Sequence, residues 1–127
     1  MNSNHDEQAG ASRRDDTFTG EVWVAPAVSG VDGATVNEVL FTPGAMTHWH
    51  SHEGGQLLHI TDGHGRIGTR AGERLDVSAG DTVWTPPGEE HFHAADPGHH
   101  MAHVAVSFGA IDWRDEVSEA EARDPGR

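Results

Sequence analysis

His48, His50 and His52 alternate along one short stretch, and Gln56 follows four residues after the last of them. Strand side chains repeat every two residues, so an extended backbone here projects all three imidazoles to one face. Neither strand propensity nor ordinary core packing accounts for such a cluster. The stretch reads as half of a metal site. The other half lies 35 residues beyond Gln56, where the rigid turn Pro86-Pro87-Gly88 delivers His91 and His93 onto a second strand, again facing the same way. Most of the intervening and flanking chain reads as scaffold for the two halves.

A chain of 127 residues is long enough for one core and too short for two. Its 16 glycines, 6 prolines and short Val/Leu/Ile runs predict an all-β domain with many turns. There is no cysteine, which excludes disulfide scaffolds, thiolate ligands and thiol nucleophiles. Lysine and tyrosine are also missing, so Schiff-base chemistry and a tyrosine acid are excluded. A formal charge of −13 repels a phosphate backbone, and nucleic acid is not an expected partner. No run approaches the roughly 20 apolar residues of a membrane span, and the first 16 residues hold no apolar signal core; a soluble cytoplasmic protein is expected.

Residues 1–16 are polar and aperiodic and read as a disordered tail, with a single domain over 17–127. Strands are expected over Thr17 to Val24, Thr35 to Phe41, Gln56 to Thr61, Arg74 to Val77, Asp81 to Thr85, His91 to His93 and His103 to Phe108. Pro26 and Ser29 to Gly33 read as a loop, and Asp62-Gly63 as a hairpin turn. The run Gly63-His64-Gly65-Arg66-Ile67-Gly68 has the glycine spacing of dinucleotide sites, but no helix follows to hold a pyrophosphate, so that reading is rejected. Trp113, Val117 and Ala120 fall at helical spacing in an acidic segment and predict a short amphipathic helix. Trp49 and Phe92 alternate away from the histidine face and are expected between sheets or at a subunit interface. About eight short strands joined by Gly/Pro turns make a barrel or jelly roll.

Spacing alone leaves open whether His48 with His50, or His50 with His52, forms the ligand pair. Written out in full, the pattern resembles the two motifs of the cupin family. Gly44, His50, His52, Gln56 and Gly63 stand at the spacing of the first motif, with Gln in the usual Glu position; Gly80, Pro86, Gly88 and His91 stand at that of the second, with Ala95 replacing its final Asn. The resemblance implies a cupin-type jelly-roll β-barrel and the metal ligands His50, His52, Gln56 and His91. Such a donor set suits a divalent first-row ion: Mn first, with Fe, Zn, Ni and Co as alternatives.

The likeness extends through Phe41-Thr42-Pro43-Gly44, Thr47 to Gln56, Pro87 to His93 and Met101-Ala102-His103 to the small bacterial cupins that include manganese-dependent hydroxynitrile lyases, which share the Gln ligand. It implies a lyase acting on a small oxygenated substrate, with cyanohydrin cleavage or synthesis as the reaction. His93 and His103 match pocket histidines of that group and are the candidates for proton handling. His48 is a third, read either at the pocket mouth or as a partner of a neighbouring carboxylate. The other functions carried forward are a cupin dioxygenase, a polyketide-cyclase-type cupin and a non-enzymatic small-molecule-binding cupin. A homodimer or homotetramer is expected.

Overall fold

The computed structural model describes residues 10–126. Twelve strands and one helix lie among the described residues. Strands β1 (Ser12–Arg14), β2 (Phe18–Thr19), β3 (Val22–Val31), β4 (Ala34–Phe41), β5 (Met46–Thr47) and β6 (His50–His52) occupy the first half. Strands β7 (Gln56–Thr69), β8 (Arg74–Ser78), β9 (Thr82–Thr85), β10 (His91–Ala95), β11 (Met101–Phe108) and β12 (Ile111–Trp113) follow, then helix α1 (Glu119–Arg123). All of the pairings are antiparallel, and together they form a nearly closed jelly-roll barrel. No helix among the described residues is long and apolar enough to cross a membrane.

Strand β7 makes the barrel. Its first half pairs with β11 and β9, and its second half with β10 and β8, so one strand belongs to both walls. The expected hairpin at Asp62-Gly63 is absent. Instead the β7–β11 register slips between Ala102 and His103, leaving one extra residue on β7. Such a bulge bends the strand and flips its parity. Gln56, Leu58 and Ile60 therefore face inward before it, and Ile67 faces inward after it. A pattern of alternating apolar residues on both sides of a Gly turn cannot distinguish these two outcomes.

Three other expectations change. Val22–Val31 runs as one irregular strand through Pro26 with two register shifts, and the turn to β4 is only Asp32-Gly33. Of the expected tail, residues 1–9 lie outside the described residues, whereas Ser12–Arg14 pairs with Val22–Val24 at the edge of the sheet. Trp113, Val117 and Ala120 do not share a helix. Trp113 closes β12, paired with His50 of β6, and the helix spans only Glu119–Arg123 behind a Ser118–Glu121 capping box.

The core has two parts. Val22, Phe41, Leu58, Ile60, Met101 and their neighbours fill the barrel interior. Trp49 and Phe92 pack edge to face, 5.1 Å apart, on the outer side of the second wall, where Val117 and Ala122 cover them. They lie neither between the walls nor on an open surface. Arg70 lies over the Trp49 ring at 4.2 Å, and Arg74 over Phe92 at 5.1 Å. Arg74 also donates to the Glu121 carbonyl and Arg66 to that of Asp124, which ties the C-terminal segment to this face. β10 is consequently buried on both sides, and its histidines are held firmly.

Candidate metal centre

β6 presents His50 and His52, β7 opens with Gln56, and β10 opens with His91. Because His91 pairs directly with His50 across β10 and β6, their ring centres are 4.3 Å apart. Gln56 Oε1 stands 3.0 Å from Nε2 of both His91 and His93. The ligand nitrogens of His50, His91 and His93 all lie within 4.8 Å of one another, a group able to hold a metal ion.

Hydrogen bonds at the far side of the rings fix which nitrogen is bare. His50 Nδ1 donates to the His48 carbonyl at 3.0 Å and His91 Nδ1 to the Glu89 carbonyl at 2.9 Å. A neutral imidazole that donates from Nδ1 keeps a lone pair on Nε2. The bare Nε2 of His91 thus faces the amide oxygen of Gln56, acceptor against acceptor, an arrangement that a cation between them relieves. His52 adds to the case: both its ring nitrogens are buried without a hydrogen-bond partner among the described residues, and such groups are costly unless something binds them. The residues present fit a divalent ion.

Burial also keeps these rings neutral. It lowers the pKa of His50 well below the usual value, with the neighbouring His91 adding to the effect, and lowers that of His91. Burial likewise holds His93 far down, helped by His103, and brings His52 and His103 to about 4. Neutral imidazoles are what a metal needs. They also make the metal-free fold acid-labile. The unfolded chain binds protons at these histidines from about pH 6.5 downward, while folded His52 and His103 resist until about pH 4. Their contribution to stability is complete above the unfolded value and is lost as pH falls through this window, each group contributing about 1.4 kcal/mol per pH unit at most. Urea midpoints of metal-free protein should therefore drop from neutral pH to the lower end of the window; a flat profile would contradict the burial of neutral rings.

The cavity beside this cluster has a volume of about 430 Å³. Phe18, Val39, Phe41, Ile111 and Trp113 form an apolar wall, while His50, His52, Gln56, His93 and His103 supply the polar side. His93 and His103 are fully internal and joined, Nδ1 to Nε2, at 3.0 Å. His48 is not in the cavity. The chain bends at His48-Trp49, so Thr47 and His50 both face the interior although they stand three positions apart. His48 is only partly buried and serves through its backbone, accepting from His50 and donating to Thr17. His59, His64, His99 and His100 are exposed.

Sequence reasoning missed three residues of the site. Thr47 Oγ1 accepts from the His93 amide at 3.0 Å, Ser107 Oγ accepts from Gln56 Nε2 at 3.0 Å, and the Trp113 ring flanks His50 at 4.7 Å. Ser107 was within reach, since it shares parity with Met101, His103 and Ala105 on β11. Trp113 was not, because its strand exists only by pairing with β6.

A β-barrel with histidines and a carboxamide gathered in its interior defines a jelly-roll protein with side chains able to hold a metal ion. The chain belongs to the cupin family: the Cupin domain profile matches residues 37–106. Among curated proteins it is 38% identical over 122 residues to an (R)-mandelonitrile lyase of Granulicella tundricola, covering 91% of this chain and 93% of that protein. Among solved structures it resembles a cupin-like protein of Thermotoga maritima, with TM-score 0.84, 38% identity and coverage of 91% and 92% of the two chains. The polyketide cyclase RemF of Streptomyces resistomycificus shares the fold at 20% identity, with TM-score 0.73 and coverage of 98% and 89%.

Proposed function

We propose that this cupin is a metal-dependent carbon–carbon lyase that cleaves or forms cyanohydrins of small carbonyl compounds. The observation that carries the reading is the convergence of bare imidazole nitrogens and an amide oxygen beside a half-apolar cavity. The likeness to a mandelonitrile lyase along nearly the whole chain supports it. His50, His52, Gln56 and His91 would hold the ion, with Mn first and Fe, Zn, Ni and Co as alternatives. When bound, a divalent ion supplies Lewis acidity, undiminished here because no carboxylate belongs to the donor set.

The chain's own residues do the rest. Phe18, Phe41 and Trp113 pack the hydrocarbon part of the substrate and keep water from it. The neutral His93–His103 pair takes the hydroxyl proton at the one nitrogen its hydrogen bonds leave bare, His103 Nδ1, as the bond to the nitrile carbon breaks and the carbonyl forms, and returns that proton to the departing cyanide. In the reverse direction the pair deprotonates hydrogen cyanide and delivers the proton to the new hydroxyl. Such proton transfer contributes about 10² to 10⁴ in rate. Cyanide release from mandelonitrile by Mn-loaded protein, followed colorimetrically, is the test; no release above buffer with any first-row metal would sink the lyase reading.

The same reading includes a homodimer. Outward residues of the first wall, among them Trp23, Leu40, Leu57, Val104 and Trp84, form a face on which Leu40 and Trp84 remain 41% and 50% exposed. Glu38 and Arg13 are among its few charges and are opposite in sign, so a second copy can meet this face with less of the repulsion that a net −13 imposes elsewhere. Sedimentation should give twice the chain mass and Leu40→Arg should return the monomer; a monomeric native chain at micromolar concentration would refute the dimer.

A further inference from the structure

A carboxamide is an ambiguous ligand. Its oxygen can bind a cation and its NH2 cannot, yet the two ends are nearly the same size and exchange by rotation about a soft terminal torsion. Glutamate has no such difficulty, because both of its ends are oxygen. A cupin centre that uses Gln56 must therefore decide which end of the side chain meets the imidazoles, and nothing in Gln56 itself decides it.

The surrounding hydrogen bonds do. Gln56 Nε2 donates to Ser107 Oγ at 3.0 Å, and these two residues are direct cross-strand partners on β7 and β11. On the other side Oε1 lies 3.0 Å from His93 Nε2, while His93 Nδ1 lies 3.0 Å from His103 Nε2. With the amide in this orientation the bonds run in one direction: His103 Nε2–H to His93 Nδ1, His93 Nε2–H to Gln56 Oε1, and Gln56 Nε2–H to Ser107 Oγ. Each of these three donors thus has an acceptor. One lone pair of the amide oxygen is left on the side of His91, whose own Nε2 is bare.

We infer that Ser107 is a positioning residue for the metal centre: by taking the amide N–H of Gln56 it turns the carboxamide oxygen toward the imidazoles and makes Gln56 a competent ligand. The inference rests on the reading of Gln56 as a ligand. Ser107 also borders the cavity, but the role assigned to it runs through the Gln56 amide. Losing a residue that orients a metal ligand typically lowers affinity about 10- to 100-fold.

The test is a Mn(II) titration of the metal-free full-length protein, read as the loss of the free-ion EPR signal, together with the Co(II) absorption spectrum and a thermal melt of each variant. Ser107→Ala should weaken Mn(II) binding about 10-fold or more and shift the Co(II) ligand-field bands, with an unchanged melt in the absence of metal. Ser107→Thr, which keeps the hydroxyl, should restore both. In a Gln56→Glu background, where either end presents oxygen, Ser107→Ala should change Mn(II) affinity by less than about 3-fold. Equal losses in the Gln and Glu backgrounds, or native affinity and spectrum in Ser107→Ala, would overturn the positioning role while leaving the metal centre standing. A native chain that binds neither Mn(II) nor Co(II) would overturn the centre and the inference together.

Discussion

His91→Ala is expected to abolish cyanide release, bringing mandelonitrile turnover by Mn-loaded protein down to the buffer rate. His91 supplies a bare Nε2 3.0 Å from the Gln56 oxygen, and its ring lies 4.3 Å from that of His50. Its removal takes one of the four proposed donors, so metal affinity falls and with it the share of protein that carries the Lewis acid. His93→Ala gives the informative contrast. If His93 supports proton handling at His103 rather than binding the metal, its variant should retain stoichiometric Mn while losing about 10² to 10⁴ in rate. Metal content and rate, measured together by elemental analysis and cyanide assay, separate the two roles. Full activity in His91→Ala would eliminate the proposed ligand set.

Gly63→Ala is expected to be the most damaging single-methyl addition in the barrel. Gly63 has φ +77°, where an L side chain is strained by roughly 1 to 2 kcal/mol. A Cβ there would also be driven into the carbonyl oxygen of His100, which accepts the hydrogen bond from His64 that holds the corner of β7. Backbone meets backbone, and neither can yield without breaking the pairing of β7 with β11. A total cost of about 3 kcal/mol or more follows, equivalent to a melting point lower by about 10 °C or more. Gly80→Ala is the control. Gly80 has φ +98°, but nothing lies within 4 Å of the added methyl, so only the conformational part of the penalty applies. Equal melting points for the two variants would show that the corner tolerates displacement.

Much of the site was legible before the fold was known, because metal chemistry prescribes residue types at short spacing and strands present alternate residues to one side. His50, His52 and Gln56 lie within seven consecutive positions, and His91 and His93 within three. Their shared face required only an extended backbone. Errors arose where the chain departs from regular alternation. The bend at His48-Trp49 removes His48 from the cavity and admits Thr47, and the bulge after Ile60 replaces an expected turn with a continuous strand. Both are single-residue events. Either one exchanges inside for outside for everything beyond it.

What the amino-acid order determined alone is the chemistry: an all-β chain without cysteine, lysine or tyrosine, bearing imidazoles and one carboxamide at motif spacing. These are local properties, set by residue identity and by the period of an extended strand. What only the tertiary structure decided is which groups meet. β7 crosses from one wall to the other, so Gln56 comes opposite Ser107 and within reach of β10, while Trp113 reaches His50 by pairing at the end of the chain. Burial then makes five histidines neutral together. Desolvation and long-range pairing are properties of the closed barrel, and no stretch of sequence carries them by itself.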